Sequence, residues 1–195
     1  MSSDEDVRFL RLFAMPKPVR ITGRSSSITN SFVNGIIPVV TPSAAEVRTA
    51  LEVLGMAEVV SCSYCGDTST EWDHLRPLVV GKRPTGFISE IHNLVPSCGK
   101  CNQSKGNKPW RIWMLSDARL SPKTRKVLDI DHRIQRLEAF ELWSTPTQVH
   151  FEEVVSEELW RRHWENHASL MTMMGEAERV AALIRAEVAE KASER

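Results

Sequence analysis

Glu71 to Lys108 reads EWDHLRPLVVGKRPTGFISEIHNLVPSCGKCNQSKGNK, a stretch that ends in the pair Cys98-Gly-Lys-Cys101 and follows closely on Cys62-Ser-Tyr-Cys65. These are all four cysteines of the chain, in two CxxC pairs with 32 residues (66–97) between them. Two residues between cysteines allow a tight turn to present both thiolates to one metal. Two such knuckles supply the four sulfurs of a tetrahedral Zn²⁺ at roughly 2.3 Å each. Disulfides do not fit a reducing compartment, and a lone redox CxxC would not come with a second pair. Four thiolates leave no coordination position for water, so Cys62, Cys65, Cys98 and Cys101 predict a structural zinc. Any chemistry must come from the residues between and after the knuckles.

Within that stretch, Trp72 to Leu78 and Phe87 to Ile91 read as two strands around the turn-like GKRPTG (81–86). Asn102 to Leu115 reads as a helix that Pro109 can bend. The order is β, β, α. Asp73 and His74 are adjacent, so on a regular strand they face opposite ways, and only an irregular strand end brings both to one phosphate. The surrounding basic stretch suits a polyanion such as a nucleic acid, and hydrolysis of a phosphodiester would need an activated water and positive charge at the phosphate and leaving oxygen. A histidine with an ordinary pKa of roughly 6.5 can take the water proton, which assigns the base to His74. The hard oxygens of Asp73 and Asn102 suit one Mg²⁺ ion, with Mn²⁺ as a substitute. Arg76 and Lys105 are the candidate phosphate contacts.

Asp73-His74 with Pro77 after it, Gly81 and Gly86, Asn93-Leu94-Val95-Pro96, and Cys98 and Cys101 followed by Asn102 and Lys105-Gly106 together resemble the HNH nucleases. The resemblance covers residues 62 to 110 and implies a ββα-metal finger clamped by zinc. It further implies that Asn93 orients the His74 loop and that cleavage leaves a 5′-phosphate and a 3′-hydroxyl. Many members of that family have histidine where this chain has Asn102, whose amide oxygen can serve as the same ligand.

Further out, 61 residues precede Cys62 and 85 follow Trp110, with a composition of 42% apolar residues over 195. The whole is therefore expected to be α+β: a small zinc-clamped ββα-metal core (58–115) between an N-terminal arm and helix (1–57) and a C-terminal helical region (116–195). Residues 1–24, with Pro16 and Pro18, suggest an irregular arm, and Ser25 to Asn34 a short helix ended by Gly35 and Pro38. Thr41-Pro42 predicts the start of a helix carrying Ala44, Val47, Leu51 and Leu54, up to Gly55. Val127, Ile130, Ile134, Leu137 and Phe140 recur at helical spacing. From near Ser156, Trp160, Trp164, Met171, Met174, Ala177, Ala181, Ile184 and Val188 form one stripe expected to pack in a core, with Gly175 a possible break. Trp110 and Trp113, one turn apart, are expected to pack the finger helix rather than stack on bases.

Net charge is zero, with 25 basic and 25 acidic residues, which argues against a uniformly basic nucleic-acid binder. The charge is nevertheless segregated: residues 74–126 hold eleven Lys or Arg against Glu90 and Asp117, a local +9. A basic middle between acidic flanks suits a polyanion, since each cation at a phosphate releases counterions. DNA is the expected partner, and a membrane is not: the longest apolar runs fall short of the roughly 18 to 20 residues that span a bilayer. The start, MSSDEDVRF, is acidic where a signal peptide is basic, which places the chain in the cytoplasm. The room around the finger for recognition elements and for a homodimer suits a type II restriction endonuclease. A phage or mobile-element nicking endonuclease and a non-catalytic zinc-finger DNA-binding module are the alternatives.

Overall fold

A computed structural model describes residues 7, 9, 11, 12 and 16–194. The fold combines helices with two small two-stranded sheets, an α+β arrangement. It divides into two compact units, Met1–Ile28 with Trp164–Arg195, and Thr29–His163. Every predicted site residue falls in the second. Much of the expected irregular arm lies outside the described residues; of those described, Val7, Phe9, Arg11 and Leu12 are helical.

Helix α1 spans Ser25–Asn34 and stops at Gly35, as its composition suggests. Helix α2 (Ala44–Val53) begins at Ser43 rather than at Thr41. The reason is a reciprocal cap that Thr41 cannot make: Ser43 Oγ accepts from Glu46 N (3.3 Å), while Ser43 N donates to Glu46 Oε2 (2.7 Å). Those bonds, the Ser43 backbone first and its hydroxyl second, hold the Glu46 carboxyl below its usual range.

Strand β1 (Glu71–His74) does not pair with Phe87–Ile91. Residues 79–84 form their own hairpin, β2 (Val79–Val80) with β3 (Arg83–Pro84), whose turn residues Gly81 and Lys82 are both left-handed (φ 58° and 67°). The partner of β1 is β4 (Leu94–Ser97), antiparallel, with Asp73 opposite Val95 and His74 opposite Leu94. Pro96 has no N–H to give a third strand, which a two-stranded ribbon tolerates. Residues 87–91 are spent on single bridges, Val39 to Ser89 and Phe87 to Gln148, before a 3-10 turn at Ile91–Asn93.

The expected helix 102–115 is two helices. Helix α3 (Gly99–Lys105) starts at Cys98 and ends at Gly106, whose φ of 50° turns the chain out, and α4 (Trp110–Met114) restarts after Pro109. Asn102 therefore sits one position after Cys101 on the finger helix. Helix α5 (Ile130–Trp143) places Ile134, Leu137 and Phe140 inside, with Val127 ahead of its first turn. Ala50 and Leu54 from the α2 region, Tyr64, Val95, Trp113 and this α5 face are buried in one core with Cys62, Cys98 and Cys101. The tryptophans do pack the finger: Trp113 is fully buried, lies edge-on to Tyr64 at 5.2 Å and donates Nε1–H to Ser104 Oγ (2.9 Å).

After the short α6 (Phe151–Val154), α7 runs unbroken over Glu157–Ser193, passing through Gly175. The core-packing expectation for its stripe holds only in part. Met174 is buried, whereas Ile184 and Val188 are 57% and 62% exposed. At about 1.5 Å per residue the helix is roughly 55 Å long, more than a small core can cover.

Candidate active site

The four cysteine sulfurs lie within 4.8 Å of one another, and Cys65 Sγ and Cys98 Sγ are 3.7 Å apart. Roughly 2.3 Å bonds to a tetrahedral ion put sulfurs about 3.8 Å apart, so the donor set and its spacing fit zinc. Two guanidinium groups brace the cluster: Arg125 Nη1 donates to Cys101 Sγ (3.3 Å) and Arg133 Nη1 to the Cys62 carbonyl (3.1 Å). A tetrathiolate site carries net negative charge, and Arg125 offsets part of it.

This clamp fixes β1, β4 and α3 around a cavity of about 350 Å³ whose lining includes Asp73, His74, Ser89 and Asn102. The neighbours Asp73 and His74 reach one space because β1 ends at His74, where the chain bends away. The turn after it is pinned by Asn93, which is fully buried. Asn93 Oδ1 accepts from Arg76 N (2.9 Å), its Nδ2 donates to the Arg76 carbonyl (3.2 Å), and its own carbonyl accepts from Leu75 N (2.8 Å). Asn93 thus holds the backbone that carries His74 and does not face the cavity.

Asp73 is 5% exposed and shares a buried network. Its Oδ2 accepts from the Tyr64 hydroxyl at 2.6 Å and lies 3.1 Å from Lys105 Nζ. Burial raises the Asp73 carboxyl against the opposing pull of Lys105 and Tyr64, and burial likewise lowers the Lys105 amine against the pull of Asp73. Lys105 Nζ also donates to the His74 carbonyl (2.7 Å) and the Gly106 carbonyl (3.4 Å), so the pair is amply hydrogen-bonded. The Tyr64 hydroxyl is pushed well above its ordinary range by burial first and by Asp73 second. His74 is lowered to about 4, by burial and then by the Lys105 charge, so its ring is neutral at neutral pH. Its Nε2 lies 2.8 Å from Ser89 Oγ.

Two predicted phosphate contacts are placed otherwise. Lys105, the candidate phosphate contact, is enclosed beneath Asp73, where the carboxylate and two carbonyls hold its Nζ. Arg76 turns away from the cavity: its guanidinium bonds Ser144 Oγ (3.2 Å) and the Glu141 carbonyl (3.4 Å) and lies over the Phe87 ring at 5.9 Å. His92 packs on Trp143 at 4.9 Å, with Nδ1 buried and without a hydrogen-bond partner among the described residues. The Asn102 side chain makes no hydrogen bond among the described residues and lines the cavity.

The sequence reading passed over Tyr64, Ser89 and the cavity wall formed by Asn34, Ile37 and Val39. Tyr64 carried a signal, being the chain's one tyrosine and lying inside a knuckle. Ser89 carried none.

A finger clamped by a four-cysteine cluster, with Asp73, His74 and Asn102 lining one cavity, is the arrangement of a nuclease class. The model of the family described as HNH endonuclease matches residues 62–108, and that segment is an HNH endonuclease domain. A CRISPR-associated endonuclease Cas9 from Corynebacterium diphtheriae is 41% identical over 56 residues, 27% of this chain and 5% of that protein. The chain thus spans only a small part of that relative. No solved structure matches the chain. No described helix is long and apolar enough to cross a membrane.

Proposed function

We propose that this chain is a metal-dependent DNA endonuclease of the type II restriction kind, with His74 as the general base. The convergence of Asp73, His74 and Asn102 on one cavity, with Asn93 pinning the turn between, carries the reading. Functionally the nuclease core is 58–115, with 1–57 and 116–195 supplying recognition and assembly. Water attacks phosphorus as its proton passes to the His74 ring. The bond to the 3′ oxygen breaks, leaving a 5′-phosphate, and the 3′ oxygen takes a proton from solvent.

Asp73 and Asn102 are hard oxygen donors on one cavity, and they fit Mg²⁺ or Mn²⁺. A carboxylate has about four lone-pair sites, so Tyr64 and Lys105 leave Asp73 able to bind. When bound there, the cation supplies positive charge to the phosphate and the leaving oxygen. The exposed cations Lys82, Lys100, Lys108, Arg119 and Lys126 favour DNA as the polyanion. Met173, Val180, Ile184 and Val188, exposed along one face of α7, favour a homodimer that would set two sites on opposite strands.

The test is cleavage of supercoiled plasmid and of a larger unmodified DNA with Mg²⁺ or Mn²⁺, comparing wild type with His74→Ala at matched zinc content. Discrete bands lost in the variant support the proposal. Nicked circles alone assign a nicking endonuclease, and binding without cleavage assigns a zinc-finger binding module.

A further inference from the structure

A histidine that takes a proton from water must present a lone pair at one ring nitrogen, while the other nitrogen is fixed by a partner. His74 has such a partner, and it lies on neither the finger strands nor the finger helix. Ser89 Oγ is 2.8 Å from Nε2. Two main-chain bonds hold Ser89 in turn, both to the segment that follows α1. Ser89 N donates to the Pro38 carbonyl (3.2 Å) and Val40 N donates to the Ser89 carbonyl (2.8 Å). The same segment forms one wall of the cavity through Ile37 and Val39. Pro38 and Val40 lie outside the segment 62–108 that matches the family model, so this support belongs to the chain's own surroundings of the finger.

A serine hydroxyl both donates and accepts, and only one of the two arrangements leaves a working base. If Ser89 donated to Nε2, the ring proton would sit on Nδ1 and neither nitrogen could accept from water. If Nε2–H donates to Ser89 Oγ, Nδ1 keeps its lone pair, and the hydrogen bond persists when the ring gains a second proton. No group then has to reorganise during the transfer.

We propose that Ser89 is a positioning residue that accepts the Nε2 proton of His74 and so keeps the Nδ1 lone pair directed to the attacking water. The inference rests on the nuclease reading, but its first test does not require cleavage. Histidine-¹⁵N-labelled protein, zinc-loaded, is examined by long-range ¹H–¹⁵N correlation, with His74→Gln assigning the His74 signals among the six histidines. The wild-type ring should show a protonated Nε2 and an unprotonated Nδ1. Ser89→Ala should mix the tautomers and lower the single-turnover cleavage rate by about 10- to 100-fold, the usual effect of losing an orienting hydrogen bond. The Kd for DNA and the zinc content should stay unchanged. Ser89→Thr, which keeps the hydroxyl, should restore both tautomer and rate.

A wild-type ring protonated at Nδ1 overturns the proposal without any variant. So does a Ser89→Ala protein with unaltered tautomer and unaltered rate. If the wild type cleaves no DNA under any divalent metal, the nuclease reading fails, while the tautomer still decides the role of Ser89.

Discussion

Replacing Lys105 with methionine should be among the costliest single changes in the finger. The residue is fully buried, and its ammonium serves Asp73 Oδ2 (3.1 Å), the His74 carbonyl (2.7 Å) and the Gly106 carbonyl (3.4 Å). Methionine keeps the apolar stem and much of the volume, so little of the loss comes from a cavity. What is lost is the charge partner of a carboxylate that is 5% exposed. Removing one member of a buried, hydrogen-bonded pair costs about 3–5 kcal/mol. With a urea dependence of about 2–3 kcal/mol per molar, the unfolding midpoint should fall by about 1–2.5 M at saturating zinc. Adding Asp73→Asn to Lys105→Met removes the stranded charge while leaving Tyr64 a partner, and should regain at least half of the loss. A cost below about 1 kcal/mol would put the pair at the level of a surface ion pair and refute the reasoning. A double variant no more stable than the single one would do the same, because the loss would then be packing.

Removing zinc with a chelator, or Cys98→Ser, should abolish cooperative unfolding of residues 29–163 as followed by tryptophan fluorescence, since Cys62, Cys98 and Cys101 are part of the shared core. Gly66→Ala should destabilise by about 1–3 kcal/mol in urea unfolding: Gly66 has φ 78°, and an added Cβ would run into the Arg133 guanidinium. Stability should also depend on pH through His74, lowered in the fold to about 4. Its contribution is fully present above the unfolded value of roughly 6.5 and is lost as pH falls through about 4, so His74→Gln should flatten a stability profile taken over that window.

How much of this was legible in the sequence depended on how far apart the partners lie along the chain. The zinc site could be read because each knuckle is a local device, two ligands on one turn, repeated once. That Asp73, His74 and Asn102 would lie close together could be anticipated because their order and spacing form a short pattern, and they line one cavity. The sheet was misread because pairing is not local: the segment 87–91, with Phe87, Ile88 and Ile91, looked like a strand, yet β1 took Leu94–Ser97 instead. The same limit applies to the cations. Arg76 and Lys105 look alike in a string of basic residues, and only the fold shows one bonded to Ser144 and the Glu141 carbonyl and the other enclosed under Asp73. A count of positive charges in 74–126 therefore overstates what faces outward.

The chemistry and its shape come from different parts of the chain. Residues 62–108 hold the proposed base, the proposed oxygen donors and the four-cysteine clamp, and this is the portion that matches the HNH endonuclease family. The wall opposite them is Asn34, Ile37 and Val39, and the Ser89 that touches His74 is held by Pro38 and Val40. Behind the finger, α2 and α5 contribute Ala50, Ile134, Leu137 and Phe140 to the core that holds three of the four cysteines. A finger this small buries too little apolar surface to hold an ion pair such as Asp73–Lys105 out of water unaided. Asp73 and Lys105 are both buried in the assembled fold, where Lys105 and Tyr64 oppose the rise that burial gives the Asp73 carboxyl. Changes in residues 29–40 should therefore alter the reaction without touching any residue of the family pattern.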